Sequence, residues 1–540
     1  MTPKPITAVD SEEGSAAMKV PEMKGGSPLL ISPHCASFGR SQSAILLGTS
    51  PFDLVRKDRV TVDVYYNGVK VKPVGATKSG WRQIEASQHA INTVNPIRRI
   101  VDVMSIKPNP DKELIKLHIG DPSITGTLPT HPVVLNALEE AMNSGRYNGY
   151  GPAVGLPHVR EAVAESASCP EAPVDADDVI LTSGCSHALQ LAIEVLANPG
   201  DNILVPRPGF PLYATLMNPH GVEDRQYNLL PEQGWEADLD QLENLIDGRT
   251  RAIILNNPSN PCGAVYSRQH LQDILSIADR HRIPIIADEI YGGMTFSGSP
   301  FHPLASLSPK VPILVTDGIA KRYLVPGWRL GWLIVHDRHG AFEEVKQGLK
   351  QLATKIVGPC ALVQGAIPQI LRNTPADFFK DTLDVLQANA EAANEELSNV
   401  RGLMPVKPQG AMYMMVGLDM ACFPDLRDEL EFTKLLIAEE SVYCLPGAAF
   451  NYDASLRLVL TYPLADTRDA CRRIKAFCER HGRPMGKLQL PMEEPAQFRL
   501  EDLLGAEDSS LLLSIQRELQ PDLEQIQSSQ LQEYGLRICA

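Results

Sequence analysis

A lysine and an arginine eight residues apart follow a short apolar segment of this chain. Residues 313–315 are Ile, Leu and Val, and the stretch after them contains Lys321 and Arg329. Such runs are typical of strands in parallel sheets, whose carboxyl ends bind ligands. Lys321 is therefore placed to form a Schiff base with an aldehyde cofactor, and Arg329 to neutralise a phosphate. Taken alone, both residues are equally compatible with an ordinary surface, so the prediction depends on other segments.

A turn of small residues lies between a predicted strand at 179–181 and a helical pattern that continues to residue 196. Gly184, Cys185 and Ser186 stand where this helix begins, and unpaired N–H groups at a helix amino terminus bind phosphate. The turn also resembles the nucleophile turn of serine hydrolases. That interpretation is disfavoured because Ala188 occupies the place of the second glycine.

Two adjacent carboxylates, Asp288 and Glu289, end another predicted strand at 283–287. A carboxylate facing a pyridine nitrogen keeps the ring protonated and makes it an electron sink, and Asp288 is the candidate. The alternatives are a solvated pair or a metal site. Metal binding is disfavoured because no cluster with ligand spacing stands nearby, and His336 and His339 lie in a polar turn.

Polar and aromatic residues follow two further predicted strands, at 203–205 and 253–255. Asn257 and Asn260 each precede a proline, which holds them out of helix with their amides free to donate. Phe210 offers an aromatic face to a planar ring. Two alternatives remain open: the asparagines serve only to stabilise the turn, and Phe210 serves only to pack in the core.

Together these segments resemble the pyridoxal-phosphate aminotransferases of fold type I, from about residue 79 to about residue 481. This resemblance implies an α/β fold, with a three-layer large domain around a mostly parallel sheet and a smaller α+β domain. The segments that carry the likeness most specifically are 95–98, 119–122, 147–150, 183–187, 257–263, 320–322 and 325–329.

The resemblance implies a role for each residue around the cofactor ring. Lys321 would bind pyridoxal 5'-phosphate covalently and move the substrate proton, and Asp288 would bind the ring nitrogen. Tyr291 and Asn260 would hydrogen-bond the phenolic oxygen, while Phe210 would stack on the ring.

The resemblance also implies how phosphate and substrate are held. The phosphate ligands would be Gly184, Cys185, Ser186 and Arg329, with Tyr150 reaching the site of a partner subunit in a homodimer. Arg457 would grip the substrate α-carboxylate together with Asn260, and Gly120 would line the substrate channel. Many relatives that act on aspartate carry a phosphate-binding serine where this chain has Gly318.

Within this family the motifs are most similar to members that act on tyrosine. The resemblance therefore implies ping-pong transfer of the amino group of tyrosine, and of other aromatic amino acids, to 2-oxoglutarate. Three alternatives remain: a transaminase for alanine, kynurenine or glutamine, a pyridoxal-phosphate-dependent lyase, and a non-catalytic binding protein. The last is disfavoured because the lysine, carboxylate and arginines are all present.

The bulk composition limits the cellular setting. The chain has 540 residues, 44% of them hydrophobic and 21% charged, with a formal net charge of -15. This charge argues against nucleic acid or acidic membranes as partners. Ten cysteines without a Cys-x-x-Cys pair indicate reduced thiols. Since no membrane-length apolar run or targeting signal is visible, we expect a cytoplasmic protein.

The chain is predicted to contain two domains and two extensions. Residues 1–78 form an extension that is predicted to be mostly disordered, although residues 60–66 alternate weakly as a strand does. Residues 79–132 and 376–482 form the smaller domain, and 133–375 the large cofactor-binding domain. Residues 483–540 are acidic, with helical spacing between residues 500 and 519.

Overall fold

The computed structural model describes residues 64–66, 69–71, 84–104 and 106–482, and the chain divides into two units. The first unit, Met1–Ile84, contains a hairpin in which strand β1 (Val64–Tyr66) pairs antiparallel with β2 (Val69–Val71). A strand at the end of the 60–66 segment is therefore present. Residues 69–71, for which no strand was predicted, are paired as well. The other residues of this extension, and the helical segment predicted after residue 483, lie outside the described residues.

The second unit, Glu85–Ala540, contains an eight-stranded sheet with the order β3-β10-β9-β8-β7-β4-β5-β6. Strands β9, β8, β7, β4 and β5 are parallel, whereas β10 and β6 run antiparallel to their neighbours. The mostly parallel α/β sheet predicted from the sequence is confirmed. The strands are β3 Val179–Thr182, β4 Asn202–Arg207, β5 Glu223–Leu230, β6 Glu236–Ala237, β7 Thr250–Asn256, β8 Ile285–Asp288, β9 Ile313–Gly318 and β10 Gly331–His336.

The central strands are apolar because both faces of the sheet are covered. In β9, Leu314 packs into one hydrophobic cluster, while Ile313 and Val315 pack into a second cluster on the opposite face. Successive side chains of a strand point to opposite faces, so this alternation defines three layers. The first cluster includes residues of the helices Cys185–Leu196 and Glu343–Ala353. The second includes residues of the helices Pro132–Asn143, Pro157–Ala167, Arg268–His281 and Ala361–Asn373.

The helices among the described residues of the second unit vary in length from four to 22 residues. Within the described ranges, no helix combines the length and apolar character required to span a bilayer. The helices are α1 Gln88–Asn92, α2 Pro96–Val103, α3 Pro132–Asn143, α4 Pro157–Ala167, α5 Cys185–Leu196, α6 Leu212–Met217, α7 Leu239–Asn244, α8 Arg268–His281, α9 Leu304–Leu307, α10 Glu343–Ala353, α11 Ala361–Asn373, α12 Ala376–Leu397, α13 Glu429–Glu440 and α14 Leu464–His481.

A second, antiparallel sheet has the order β11-β12-β14-β13. Its strands are β11 Leu403–Pro405, β12 Tyr413–Leu418, β13 Leu445–Pro446 and β14 Ser455–Val459. Ile115 exchanges backbone hydrogen bonds with residues 441 and 443, and Leu117 accepts one from Val459. An early segment of the chain thus lies against the late sheet, as the predicted smaller domain requires. The domain boundaries themselves stay a prediction.

Candidate active site

A cavity of about 450 Å³ lies at the carboxyl ends of β8 and β9, beside the turn between β3 and α5. It brings together most of the residues that the sequence predicted for the site. The predicted residues that line it are Gly120, Cys185, Ser186, Phe210, Asn260, Asp288, Tyr291, Lys321, Arg329 and Arg457.

Lys321 extends into this cavity from the segment after β9. Its Nζ donates a hydrogen bond to the Gly120 carbonyl at 2.7 Å and lies 5.9 Å from the centre of the Tyr291 ring. No carboxylate among the described residues forms an ion pair with Lys321. A primary amine held only by a carbonyl can turn toward an incoming aldehyde, as the predicted role requires.

Asp288 ends β8 and is 2% exposed. The Tyr213 hydroxyl donates to Oδ2 at 2.7 Å, and the Cys185 thiol lies 3.6 Å from Oδ1. Burial raises the pKa of Asp288 to about 6, although these donors and the Ile290 N–H oppose the rise. Because no cation among the described residues pairs with Asp288, this carboxylate is suited to a protonated ring nitrogen.

The amino terminus of α5 forms the end of the cavity where the sequence predicts a phosphate. No side chain caps this terminus, so its first N–H groups remain available beside the exposed Ser186. Gly184 has a φ of 76°, and a Cβ added there would lie 2.5 Å from Nη2 of Arg329. Glycine is therefore required for the guanidinium to lie against the turn. Gly184 does not itself line the cavity but lies behind Arg329.

The glycine at position 318 has a steric explanation. A Cβ on Gly318 would lie 2.7 Å from the Leu330 carbonyl oxygen and 2.8 Å from the Gly331 Cα. These atoms belong to the backbone at the start of β10, which pairs Gly331 with Gly318. The close strand pairing therefore leaves no room for the serine that many relatives carry here.

Arg457 lies in β14 on the opposite side of the cavity and is 3% exposed. Nη1 donates to Asn260 Oδ1 at 3.1 Å, and Nη2 donates to the His118 carbonyl at 2.7 Å. Burial lowers the pKa of this guanidinium, since no carboxylate among the described residues neutralises it. A buried cation without a counter-ion is suited to an anionic ligand such as a carboxylate.

Two tyrosine hydroxyls connect the two halves of the cavity. Tyr291 and Tyr413 hydroxyls lie 2.7 Å apart, and the Tyr413 ring lies 4.5 Å from the Arg457 guanidinium carbon. A Cβ on Gly120 would lie 2.6 Å from the Tyr413 hydroxyl oxygen. A residue without a side chain at position 120 is therefore needed to keep Tyr413 in place.

The remaining predicted residues lie in different surroundings. Phe210 lines the cavity and is partly buried, with its ring 5.9 Å from that of Tyr213. Asn257 does not line the cavity. Its side-chain oxygen accepts a hydrogen bond from the Tyr266 N–H at 2.9 Å, so its role is to stabilise the local turn. Tyr150 is 96% exposed and does not line this chain's cavity. Its predicted role in a partner's site stays a prediction.

The sequence did not single out three residues that the structure places in the site. Tyr213 stood in the aromatic segment after β4, but only Phe210 was chosen there. Tyr413 contacts a residue 122 positions earlier in the chain, a separation that no local pattern reveals. His118 lines the cavity with its ring stacked on Tyr443, the ring centres 3.6 Å apart.

The fold and the cavity define an α/β protein with an available amine, a buried carboxylate and two guanidinium groups placed for anions. Residues 112–474 match the family model described as aminotransferase class I and II. Because this match spans more than half of the chain, the chain belongs to that family and is an aminotransferase.

Individual relatives agree with this assignment. The chain is 53% identical to tyrosine aminotransferase from Mus musculus over 405 residues, 75% of this chain and 89% of that protein. It is 54% identical to the same enzyme from Bos taurus over 409 residues, 76% of this chain and 91% of that protein. The crystal structure of tyrosine aminotransferase from Leishmania infantum is 36% identical with a TM-score of 0.72, covering 75% of this chain and 100% of that one. The predicted fold class is thereby confirmed.

Proposed function

We propose that this chain transfers the amino group of tyrosine, and of other aromatic amino acids, to 2-oxoglutarate with pyridoxal 5'-phosphate as cofactor. The products are 4-hydroxyphenylpyruvate and glutamate. The observation that carries the mechanism is the convergence of Lys321, Asp288 and Arg329 with Arg457 on one cavity. The choice of tyrosine is supported by relatives of that name that are 53% and 54% identical.

The residues present fit the cofactor. The uncapped amino terminus of α5 and Arg329 would hold its phosphate, and Asp288 would keep its ring nitrogen protonated. Phe210 would cover the ring, and Tyr291 and Asn260 would bind its phenolic oxygen. When bound, the cofactor supplies an electron-accepting ring that stabilises negative charge at the substrate α-carbon.

The other residues orient the substrate and move its proton. Arg457 binds the α-carboxylate through two N–H groups, an arrangement that a guanidinium makes possible and that Asn260 stabilises from behind. Lys321 Nζ takes the proton from the substrate α-carbon as the general base. Because the oxo acid has the same carboxylate, both half-reactions use Arg457 in turn.

We also propose that the protein is a homodimer of the cytoplasm with sites shared between subunits. The support for sharing is the exposure of Tyr150, which leaves its predicted phosphate contact to a second copy. The support for a reducing compartment is that the cysteines in the described ranges are unpaired. Small amino and oxo acids are the remaining partners.

One assay separates this function from its alternatives. The purified protein with cofactor is offered tyrosine, phenylalanine, alanine and kynurenine, each with and without 2-oxoglutarate. We expect sustained turnover of tyrosine only when the oxo acid is present. Turnover without an oxo acid would identify a lyase. A strong preference for alanine or kynurenine would replace tyrosine as the substrate while leaving the mechanism in place.

A further inference from the structure

Among the described residues, four lysine and arginine side chains line the cavity, and the proposed function uses three of them. Lys321 serves the cofactor and the proton, Arg329 the phosphate, and Arg457 the α-carboxylate. The fourth is Arg98, which lines the same cavity. Among the described residues, its side chain forms no ion pair or hydrogen bond, and it is exposed to solvent.

Arg98 is held at the cavity by helix α2. Asn95 caps this helix by accepting the Arg98 N–H at 3.1 Å, and Ile97 and Val101 line the cavity from the same helix. Both apolar residues also pack on the cluster that contains Phe450. The guanidinium carbon of Arg457 also lies 5.0 Å from the centre of the Phe450 ring. The helix of Arg98 is therefore one aromatic ring away from the carboxylate-binding arginine.

The two proposed substrates present different side chains to this cavity. Tyrosine presents a neutral aromatic ring, whereas 2-oxoglutarate presents a second carboxylate that needs a cation. We propose that Arg98 binds this distal carboxylate while Arg457 binds the carboxylate next to the oxo group. The inference rests on the proposed function, because that function supplies the dicarboxylic substrate.

An exposed arginine suits both substrates better than a buried one. A guanidinium on a flexible, hydrated side chain can form a two-pronged contact with a carboxylate and can also lie on an aromatic ring. A buried, fixed cation at the same place would instead oppose an apolar side chain by losing its hydration. The apolar Ile97 and Val101 beside Arg98 then provide the surface for the tyrosine ring.

The test compares Arg98→Gln with Arg99→Gln. Arg99 is the next residue of the same helix and is also exposed, but it does not line the cavity, so it is a matched control. For each protein, kcat/KM is measured with 2-oxoglutarate and with 2-oxopentanoate, which lacks the distal carboxylate. We expect Arg98→Gln to lower the ratio of the first to the second by about 10- to 100-fold, the loss of one charge-assisted contact. Arg99→Gln should leave the ratio unchanged.

A binding measurement tests the same contact without turnover. Calorimetry on the cofactor-loaded proteins measures the dissociation constants of glutarate and of pentanoate, and only that of glutarate should rise in Arg98→Gln. If the variant weakens both acids equally, or neither, the inference is overturned. If the wild-type protein fails to use tyrosine or 2-oxoglutarate, the proposed function fails instead, and the glutarate comparison still decides the role of Arg98.

Discussion

Asp288 is a buried residue whose carboxylate is not paired with a cation of the described residues. Its carboxylate is held by neutral donors, a tyrosine hydroxyl and a thiol, and not by a cation. Burial raises the pKa of the Cys185 thiol well above its usual range, so the thiol remains a neutral donor. The negative charge of Asp288 is thus left for a ligand.

Replacing Asp288 with Asn keeps the shape of the side chain and removes this charge. We expect kcat to fall by about 100- to 1,000-fold, the usual effect of losing one preorganised electrostatic contact, with a smaller loss of cofactor affinity. The measurements are steady-state kinetics and cofactor titration. Tyr227→Phe, which alters a buried hydroxyl away from the cavity, is the control. An Asn variant as active as its parent would refute the assignment of Asp288.

Arg457 makes two hydrogen bonds that a lysine cannot reproduce together. Arg457→Lys should raise KM for both tyrosine and 2-oxoglutarate by roughly 10- to 100-fold, because the two share the α-carboxylate. The two half-reactions are measured separately by following cofactor absorbance. A change in KM for only one of the two substrates would indicate that Arg457 contacts the side chain of that substrate instead.

Glu289 is buried next to Asp288, but its role is structural. It accepts a hydrogen bond from the Leu304 N–H at 2.8 Å. Burial raises its pKa to about 8 from an ordinary 4.5, so the folded protein binds a proton that the unfolded chain releases. Stability should therefore fall as pH rises from about 4.5 toward 8, by up to about 1.4 kcal/mol per pH unit from this group.

Glu289→Gln retains an acceptor for Leu304 and cannot ionise. Unfolding midpoints in urea between pH 5 and pH 9 should decline less in this variant than in the wild-type protein. Glu171→Gln, at an exposed site, should keep the wild-type decline. Parallel declines in all three proteins would mean that Glu289 ionises normally in the folded state.

At the scale of elements, β9 and β10 pair closely beside α5, at the end of the cavity that is proposed to hold the phosphate. Gly318→Ser should destabilise the protein by about 1–3 kcal/mol, the usual result of overpacking, and should weaken cofactor binding. Gly248→Ser is the control, since no atom lies within 4 Å of a Cβ added there. Unchanged stability and cofactor affinity in Gly318→Ser would show that β10 can move aside.

The strands that carry the site could be predicted from the sequence, but their partners could not. The apolar runs that begin at residues 179, 203, 253, 283 and 313 can be recognised as buried strands because both faces of a parallel sheet are apolar. Tyr413 belongs to the second sheet, and its contact with Tyr291 depends on how the two sheets pack together. The contact of Arg329 with Gly184 likewise depends on the strand order, which no local pattern encodes.

At the scale of the whole molecule, the proposed sharing of sites can be tested by mixing two inactive proteins. Lys321→Ala removes the amine, and Tyr150→Asp would place a negative charge opposite the partner's phosphate. Because Tyr150 is 96% exposed, its replacement should leave the fold of its own subunit intact. In a mixed dimer one site carries both lesions and the other carries none. Equal mixing makes half the dimers mixed, so activity should return to roughly a quarter of wild type.

Two controls accompany this experiment. Subunit exchange is verified with differently tagged proteins, and each variant is also mixed with itself. Exchange without recovered activity would place Tyr150 in the site of its own chain or refute the shared-site dimer.

The short segment 118–120 contacts the two side chains that are proposed to hold different ligands. The His118 carbonyl accepts from Arg457, and the Gly120 carbonyl accepts from Lys321, each at 2.7 Å. A ligand that draws Arg457 or Lys321 away from its carbonyl is therefore expected to affect the same three residues. Hydrogen–deuterium exchange of their amides would consequently serve as a reporter for inhibitor screening, sensitive to compounds in either half and independent of any coupled enzyme.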